Sequence, residues 1–201
     1  MGRWEPNARG RLEQAALELY VERGYVQTTV AEIAARAGLT ERTFFRHFAD
    51  KREVLFGGAG TLRELMVGAA TDAPDSAAPI DAVAAALRAA GAMFEERHDG
   101  ARLRQSVIAA NAELQERELI KLASLGAALA EALRGRGVGD PAAGLAAEAG
   151  IAVFRIGFEQ WINGPGEPSI TQVLEASLAE LKAVLAGGGS GSGARRPPHG
   201  P

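Results

Sequence analysis

The chain has 201 residues, 47% apolar and 23% charged, with 22 basic against 25 acidic side chains and a net charge of −3. That length suffices for one or two domains with a real core, while the negative balance excludes a generally basic nucleic-acid coat. Cysteine is absent, which excludes disulfide frameworks and thiolate metal sites and points to a reducing compartment.

Alanine and leucine dominate and recur at helical rather than alternating spacing, so the expected class is all-α. Neither a signal-type apolar run nor an uninterrupted apolar stretch of about 18 residues is present. The expectation is a cytoplasmic protein with no membrane association.

Taken in chain order, residues 8–24 read as a helix with Leu12, Ala15, Ala16, Leu19 and Tyr20 on its apolar side and Gly24 as its stop. Thr29 with Glu32 three positions later is a capping box, each side chain satisfying a backbone N–H of the first turn. A second helix therefore starts near Val30, keeps Val30, Ile33, Ala34 and Ala37 on one face, and ends at Gly38. Thr40 caps a third helix, 40–47. On it Phe44 and Phe48 lie one turn apart and point backward, leaving Glu41, Arg42, Thr43, Phe45, Arg46 and His47 on or near the outside. Asp50 with Glu53 reads as another capping box, starting a helix whose first residue is Lys51 and which runs to about 70. Lys51 is then expected at a helix N-terminus, where a phosphate is favoured. Two short capped helices joined by a glycine turn, with an apolar back and a polar, partly basic front, have the design of a helix-turn-helix DNA reader. Its core is predicted around Leu12, Leu19, Ile33, Leu39, Phe44 and Phe48.

Three strings carry a family resemblance: Ala-Ala-Leu-Glu-Leu-Tyr-Val-Glu-Arg-Gly-Tyr (15–25), Thr-Thr-Val-Ala-Glu-Ile-Ala-Ala-Arg-Ala-Gly-Leu (28–39) and Thr-Glu-Arg-Thr-Phe-Phe-Arg-His-Phe-Ala-Asp-Lys (40–51). Together they resemble the N-terminal domain of TetR (tetracycline repressor-like) transcriptional regulators. The resemblance implies that helix 40–47 enters a major groove, that Glu41, Arg42 and Thr43 face base edges, and that Thr29, Phe45, His47 and Lys51 border the DNA backbone, with Thr40 a further DNA-binding position. Many relatives carry tyrosine where this chain has Phe45, whose ring has no hydroxyl to donate to a phosphate.

Charge is unevenly placed. Residues 1–55 hold nine Arg or Lys against eight Asp or Glu, a net +1 that leaves −4 for the remainder. A local patch of Arg9, Arg11, Arg42, Arg46, Lys51 and Arg52 is enough for a modest, salt-sensitive footprint on DNA.

Past Gly57 the character changes, and helices are predicted near 80–97, 100–110, 112–134, 141–163 and 169–186, with a loop over 71–79. The expected organisation is a DNA-binding domain over 1–52, a ligand-binding and dimerisation domain over 53–186, and a disordered Gly/Ser/Pro-rich tail over 187–201. Helix 141–163 is apolar around most of its circumference, so it needs cover on more than one side. A second subunit is the expected cover, and the family resemblance implies a homodimer closed by helices 141–163 and 169–186 as a four-helix interface.

The second domain is also expected to hold an apolar effector cavity. Met66, Met93, Phe94, Val107, Phe154 and Phe158 are its candidate walls, beside Leu65, Leu103 and Ile108. Arg104 and Asn111 are candidate polar contacts, with Arg102 and Arg155. From Ala112 to Trp161, the strings Glu-Leu-Gln-Glu-Arg and Leu-Ala-Glu-Ala-Leu-Arg-Gly-Arg also resemble the mycofactocin-regulator-like branch of TetR proteins, which implies a hydrophobic or acyl-CoA-like effector.

Enzyme chemistry finds little support. Glu95 and His98 have one Glu-x-x-His spacing without a second copy, the serines sit in no nucleophile elbow, and no phosphate loop occurs. No cofactor and no metal are expected. The reading is a homodimeric, ligand-responsive repressor acting on a pseudo-palindromic operator of double-stranded DNA. The competing reading is a helical ligand-binding or scaffold protein that binds no operator.

Overall fold

The computed structural model describes residues 7–165 and 167–187, and the expected tail lies outside them apart from Gly187. Among the described residues there are nine α-helices, one 3-10 turn and no strand.

The first three helices are set by caps legible in the chain. Helix α1 (Ala8–Arg23) starts at Asn7, whose Oδ1 accepts from the Gly10 N–H at 3.1 Å, and stops at Gly24 with φ 88°. Helix α2 (Val30–Arg36) has the full reciprocal box, with Glu32 N donating to Thr29 Oγ1 at 3.2 Å and Thr29 N to Glu32 Oε2 at 2.9 Å. Gly38 turns the chain at φ 66°, and Thr40 caps helix α3 (Glu41–His47) by accepting from Thr43 N at 3.2 Å.

The fourth expected start is corrected. Asp50 does accept from the N–H groups of Arg52 and Glu53, at 2.8 and 3.2 Å, but the Glu53 carboxylate does not return to complete a box. It is taken by Arg117 and Lys121 instead. Only a 3-10 turn follows (Glu53–Phe56), and helix α4 begins at Ala59 and runs to Thr71. Two physical terms explain the delay: Val54, Leu55 and Phe56 are all buried, and Gly57–Gly58 resists helix propagation.

Helices α5 (Pro79–Phe94), α6 (His98–Ala109), α7 (Ala112–Gly135), α8 (Ala142–Asn163) and α9 (Ile170–Leu185) follow. Two of their boundaries moved by more than one residue: α5 ends three residues before its expected stop at 97, and α6 begins at His98 rather than 100. The helices enclose two apolar clusters. One joins α4, α5, α7, α8 and α9 around Met66, Leu87, Leu129, Leu133, Phe154 and Leu174. The other holds Leu12, Leu19, Ile33, Phe44 and Phe48, with Leu39 at its edge, as expected from the sequence. It reaches further than expected, because Val107 and Ile108 of α6 and Leu114 of α7 belong to it. The N-terminal helices are therefore seated on the bundle through a shared core, not a loose linker. No described helix is long and apolar enough to cross a membrane.

Candidate nucleic-acid interface and effector region

Helix α3 presents two unlike faces because its aromatic residues are split between them. Phe44 and Phe48 are buried, their ring centroids 5.6 Å apart, and anchor the helix to the core. Phe45 is 55% exposed and meets Phe44 edge-on at 5.5 Å. Glu41, Arg42 and Arg46 lie exposed beside it, and neither arginine has an ion-pair partner among the described residues. The Thr43 hydroxyl sits 3.1 Å from that of Thr40, so both belong to the capped first turn. Thr29 is exposed at the start of α2. Thr29, Thr40, Glu41, Arg42, Thr43 and Phe45 are thus at the surface of the two helix-turn-helix elements.

Two expected members stand apart. His47 is half-buried, its Nε2 enclosed without a hydrogen-bond partner among the described residues, and its ring centroid is 6.4 Å from that of Phe48. Lys51 occupies no α-helix N-terminus. Its Nζ donates to the carbonyls of Tyr25, Val26 and Thr28 at 2.8, 3.2 and 2.9 Å and lies 4.4 Å from the centre of the Tyr25 ring. Burial, joined by the nearby Glu113 charge, pushes the Tyr25 phenol up to about 12.

Much of the expected basic patch is similarly committed. Arg9 pairs with Glu13 and donates to the Gly57 carbonyl at 2.6 Å, Arg11 bonds the Ala37 carbonyl, and Arg52 bridges Asp50 and Glu113. Arg42 and Arg46 remain as the open cations of the reading helix.

The expected effector residues are divided between two places. Phe94, Phe154 and Phe158 meet with centroid separations of 5.3–6.2 Å, and Trp161 and His98 extend the stack. Met66 is fully buried in the same cluster, and Met93 is half-buried with its methyl near Gly58. The Trp161 Nε1–H is enclosed without a partner among the described residues.

Arg104, Val107 and Asn111 lie elsewhere. Arg104 donates to the Leu55 carbonyl at 2.6 Å, pairs with Glu118 at 3.3 Å and covers the Phe56 ring. Burial holds its guanidinium below the usual arginine range, opposed by Glu118. Val107 is packed in the N-terminal core, and Asn111 Nδ2 donates to its carbonyl at 2.7 Å. These three face the joint between the reading helices and the bundle. Leu65 and Leu103 are exposed, as are Arg102 and Arg155. Surface depressions of about 230 Å³ between α5 and α9 and about 640 Å³ between α1 and α2 are lined by none of the effector candidates.

Sequence reasoning missed the joint itself. Glu53 receives Arg117 and Lys121, Arg52 reaches Glu113 at 3.2 Å, and Tyr25 Oη donates to Glu113 at 3.5 Å. Burial alone raises the Glu53 carboxyl, but the two cations outweigh it and hold it below its ordinary range. No local pattern announces this cluster, because its partners are 61 to 88 residues apart in the chain.

Comparison with known proteins returns regulators. The family described as "Bacterial regulatory proteins, tetR family" matches residues 13–56, and the "MftR C-terminal domain" matches residues 77–186. The HTH-type transcriptional regulator TcmR of Streptomyces glaucescens is 40% identical over 81 residues, 40% of this chain and 36% of that protein. The chain thus spans about a third of that relative's length. The "Putative mycofactocin biosynthesis transcriptional regulator MftR" of Mycobacterium tuberculosis is 26% identical over 188 residues, 92% of this chain and 94% of the relative. Among solved structures, the transcriptional regulator FadR from Bacillus subtilis, in complex with stearoyl-CoA, superposes with a TM-score of 0.60 at 19% identity, covering 86% of this chain and 96% of that one. At that identity the likeness is one of fold.

Proposed function

Because the chain belongs to the tetR family of bacterial regulatory proteins, with a C-terminal region of the MftR type, we propose that it is a ligand-responsive, homodimeric, operator-binding repressor. One observation carries the DNA half of this reading: α3 turns Phe44 and Phe48 into the core and leaves Glu41, Arg42, Phe45 and Arg46 open. A seven-residue helix anchored on one side with free cations on the other fits the floor of a major groove. Glu41, Arg42 and Thr43 read base edges, Thr29, Thr40 and Phe45 border the backbone, and His47 supports the helix from its half-buried place.

The outer faces of the last two helices support dimerisation. Leu145 and Ile156 on α8 and Val184 and Leu185 on α9 are 54–77% exposed, and interleaved small residues such as Ala149, Ala152, Ala176 and Ala183 permit close approach of a second copy. A twofold pair sets its two readers in successive major grooves, ~34 Å apart, on a pseudo-palindromic site.

The effector enters beside Phe94, Phe154 and Phe158 and is hydrophobic or acyl-CoA-like. Supporting this class are the aromatic stack, the buried Met66, and the kinship with MftR; FadR, of the same fold, is solved with stearoyl-CoA. Such a ligand releases DNA only to the extent that it prefers a dimer arrangement whose readers no longer match the operator. Repression by occlusion of a promoter in the cytoplasm is the outcome.

The test is selection of duplexes from a random library by the purified protein, followed by titration of a selected duplex with and without long-chain acyl-CoA. Enrichment of an inverted repeat and its release by ligand are expected. A protein that enriches no sequence overturns the reading.

A further inference from the structure

We infer that Lys51 is a positioning residue of the DNA reader, a clasp that closes the helix-turn-helix on itself, and not one of its phosphate contacts. The inference rests on the operator-binding reading above.

An ammonium group has three N–H donors and no acceptor. In Lys51 all three are used, on the carbonyls of Tyr25, Val26 and Thr28, and the charge is further accommodated by the face of the Tyr25 ring. A phosphate oxygen gains Lys51 only by displacing one of these carbonyls and leaving it without its donor. The other end of the residue is held as well, since Tyr20 Oη donates to the Lys51 carbonyl at 2.7 Å.

What the clasp joins gives it its role. The three carbonyls lie in the turn after α1, which Thr28 closes from within by donating to the Gly24 carbonyl at 2.8 Å. Thr29, the N-cap of α2, follows at once. Lys51 itself follows the end of α3 at His47. Its ammonium therefore ties the entrance of α2 to the exit of α3, making a closed ring whose contents are the two reading helices and their turn. Without that tie the exit of α3 is held to α1 by the packing of Phe44 and Phe48, the Arg9 guanidinium over the Phe48 ring and the Tyr20 hydroxyl, none of which reaches the entrance of α2.

The consequence is separable from that of a phosphate contact. A tilted reader loses base contacts, which only the matching sequence supplies, whereas a lost phosphate contact weakens every duplex and lowers the salt slope. The variants are Lys51→Met, which keeps the stem and removes the donors, and Tyr20→Phe, which loosens the same clasp without altering charge. Each is titrated, alongside the parent, against a duplex the parent selected and a scrambled duplex, over a range of salt. The expected result is a loss of roughly tenfold or more on the selected duplex, near-parent affinity on the scrambled one, and an unchanged salt slope for both. Equal weakening on both duplexes, with the slope of Lys51→Met lowered by about one, makes Lys51 a phosphate contact and overturns the inference. Parent affinities on both, with only a lowered melting temperature, reduce it to a fold contact and overturn it equally. If Lys51→Met does not fold, Tyr20→Phe decides: a reduced preference for the selected duplex supports the clasp and an unchanged preference refutes it. A parent protein that selects no duplex removes the regulator reading and this one with it, an outcome distinct from any variant's failure.

Discussion

Arg117 donates its Nε–H to the carboxylate of Glu53 at 2.5 Å, across 64 residues of sequence and across the joint between the reading helices and the bundle. Lys121, one turn further along α7, takes the second oxygen at 3.0 Å. Glu53 begins the 3-10 turn whose next three residues are buried, so the grip fixes the point at which the chain leaves the N-terminal core.

The pH dependence of that grip has a definite sign. The Glu53 carboxyl is held below its unfolded value, so its contribution is fully present above the ordinary glutamate range near ~4.3 and is lost as pH falls through the lowered value. Glu53→Gln is expected to cost roughly 1–3 kcal/mol at neutral pH, with the gap to the parent closing in acid. Thermal unfolding of both proteins from pH 7 down to pH 3 checks this; a gap that stays constant through the series removes the ion pair from the account.

On the reading face, Arg42→Ala should lose roughly 1–3 kcal/mol of operator affinity while the melting temperature stays at the parent value. The guanidinium is exposed and, among the described residues, unpaired, so its removal leaves no buried group orphaned. A gel-shift titration that superimposes on the parent's takes Arg42 out of the interface.

At the crossing of α5 and α9, Gly91 has no room for a side chain. A Cβ there would lie 2.4 Å from Thr171 Oγ1 and 3.0 Å from Thr171 Cα, and backbone cannot swing aside as a side-chain tip can. Gly91→Ala is therefore expected to destabilise by about 1–3 kcal/mol despite the better helix propensity of alanine. Denaturant unfolding reads this directly, and a midpoint at or above the parent's contradicts the close approach.

The proposed subunit contact is tested at Ile156, 54% exposed on the outer face of α8. Ile156→Glu puts two like charges near a twofold axis and buries them, so light scattering should report a monomer at concentrations where the parent is dimeric. A dimer of parent affinity places the interface on another face.

The N-terminal helices were legible because their signals are local. Thr29–Glu32, Gly38 and Thr40 each act within four residues, and the alternation of Phe44, Phe45 and Phe48 around one turn already separates anchor from surface. Asp50–Glu53 shows the limit of such reading. Its spacing is that of a capping box, yet Arg117 and Lys121 compete for the carboxylate, and charged donors outbid a backbone N–H. Lys51 looked like a free cation for the same reason: the carbonyls that hold it lie 23 to 26 residues away.

The effector candidates divide along the same line. Phe94, Phe154 and Phe158 were grouped by composition and do converge, since large apolar side chains on α5 and α8 have a shared core to fill. Val107 and the polar candidates Arg104 and Asn111 lie on the joint instead. Helical periodicity says which side of a helix is buried, not which of two neighbouring cores receives it. Cap chemistry, amphipathic spacing and turn glycines act through nearest neighbours, so the primary structure alone decided the class, the reading helix and, His47 apart, its outward residues. Which cations are spent internally depends on distant chain segments meeting, and only the folded arrangement could allot them.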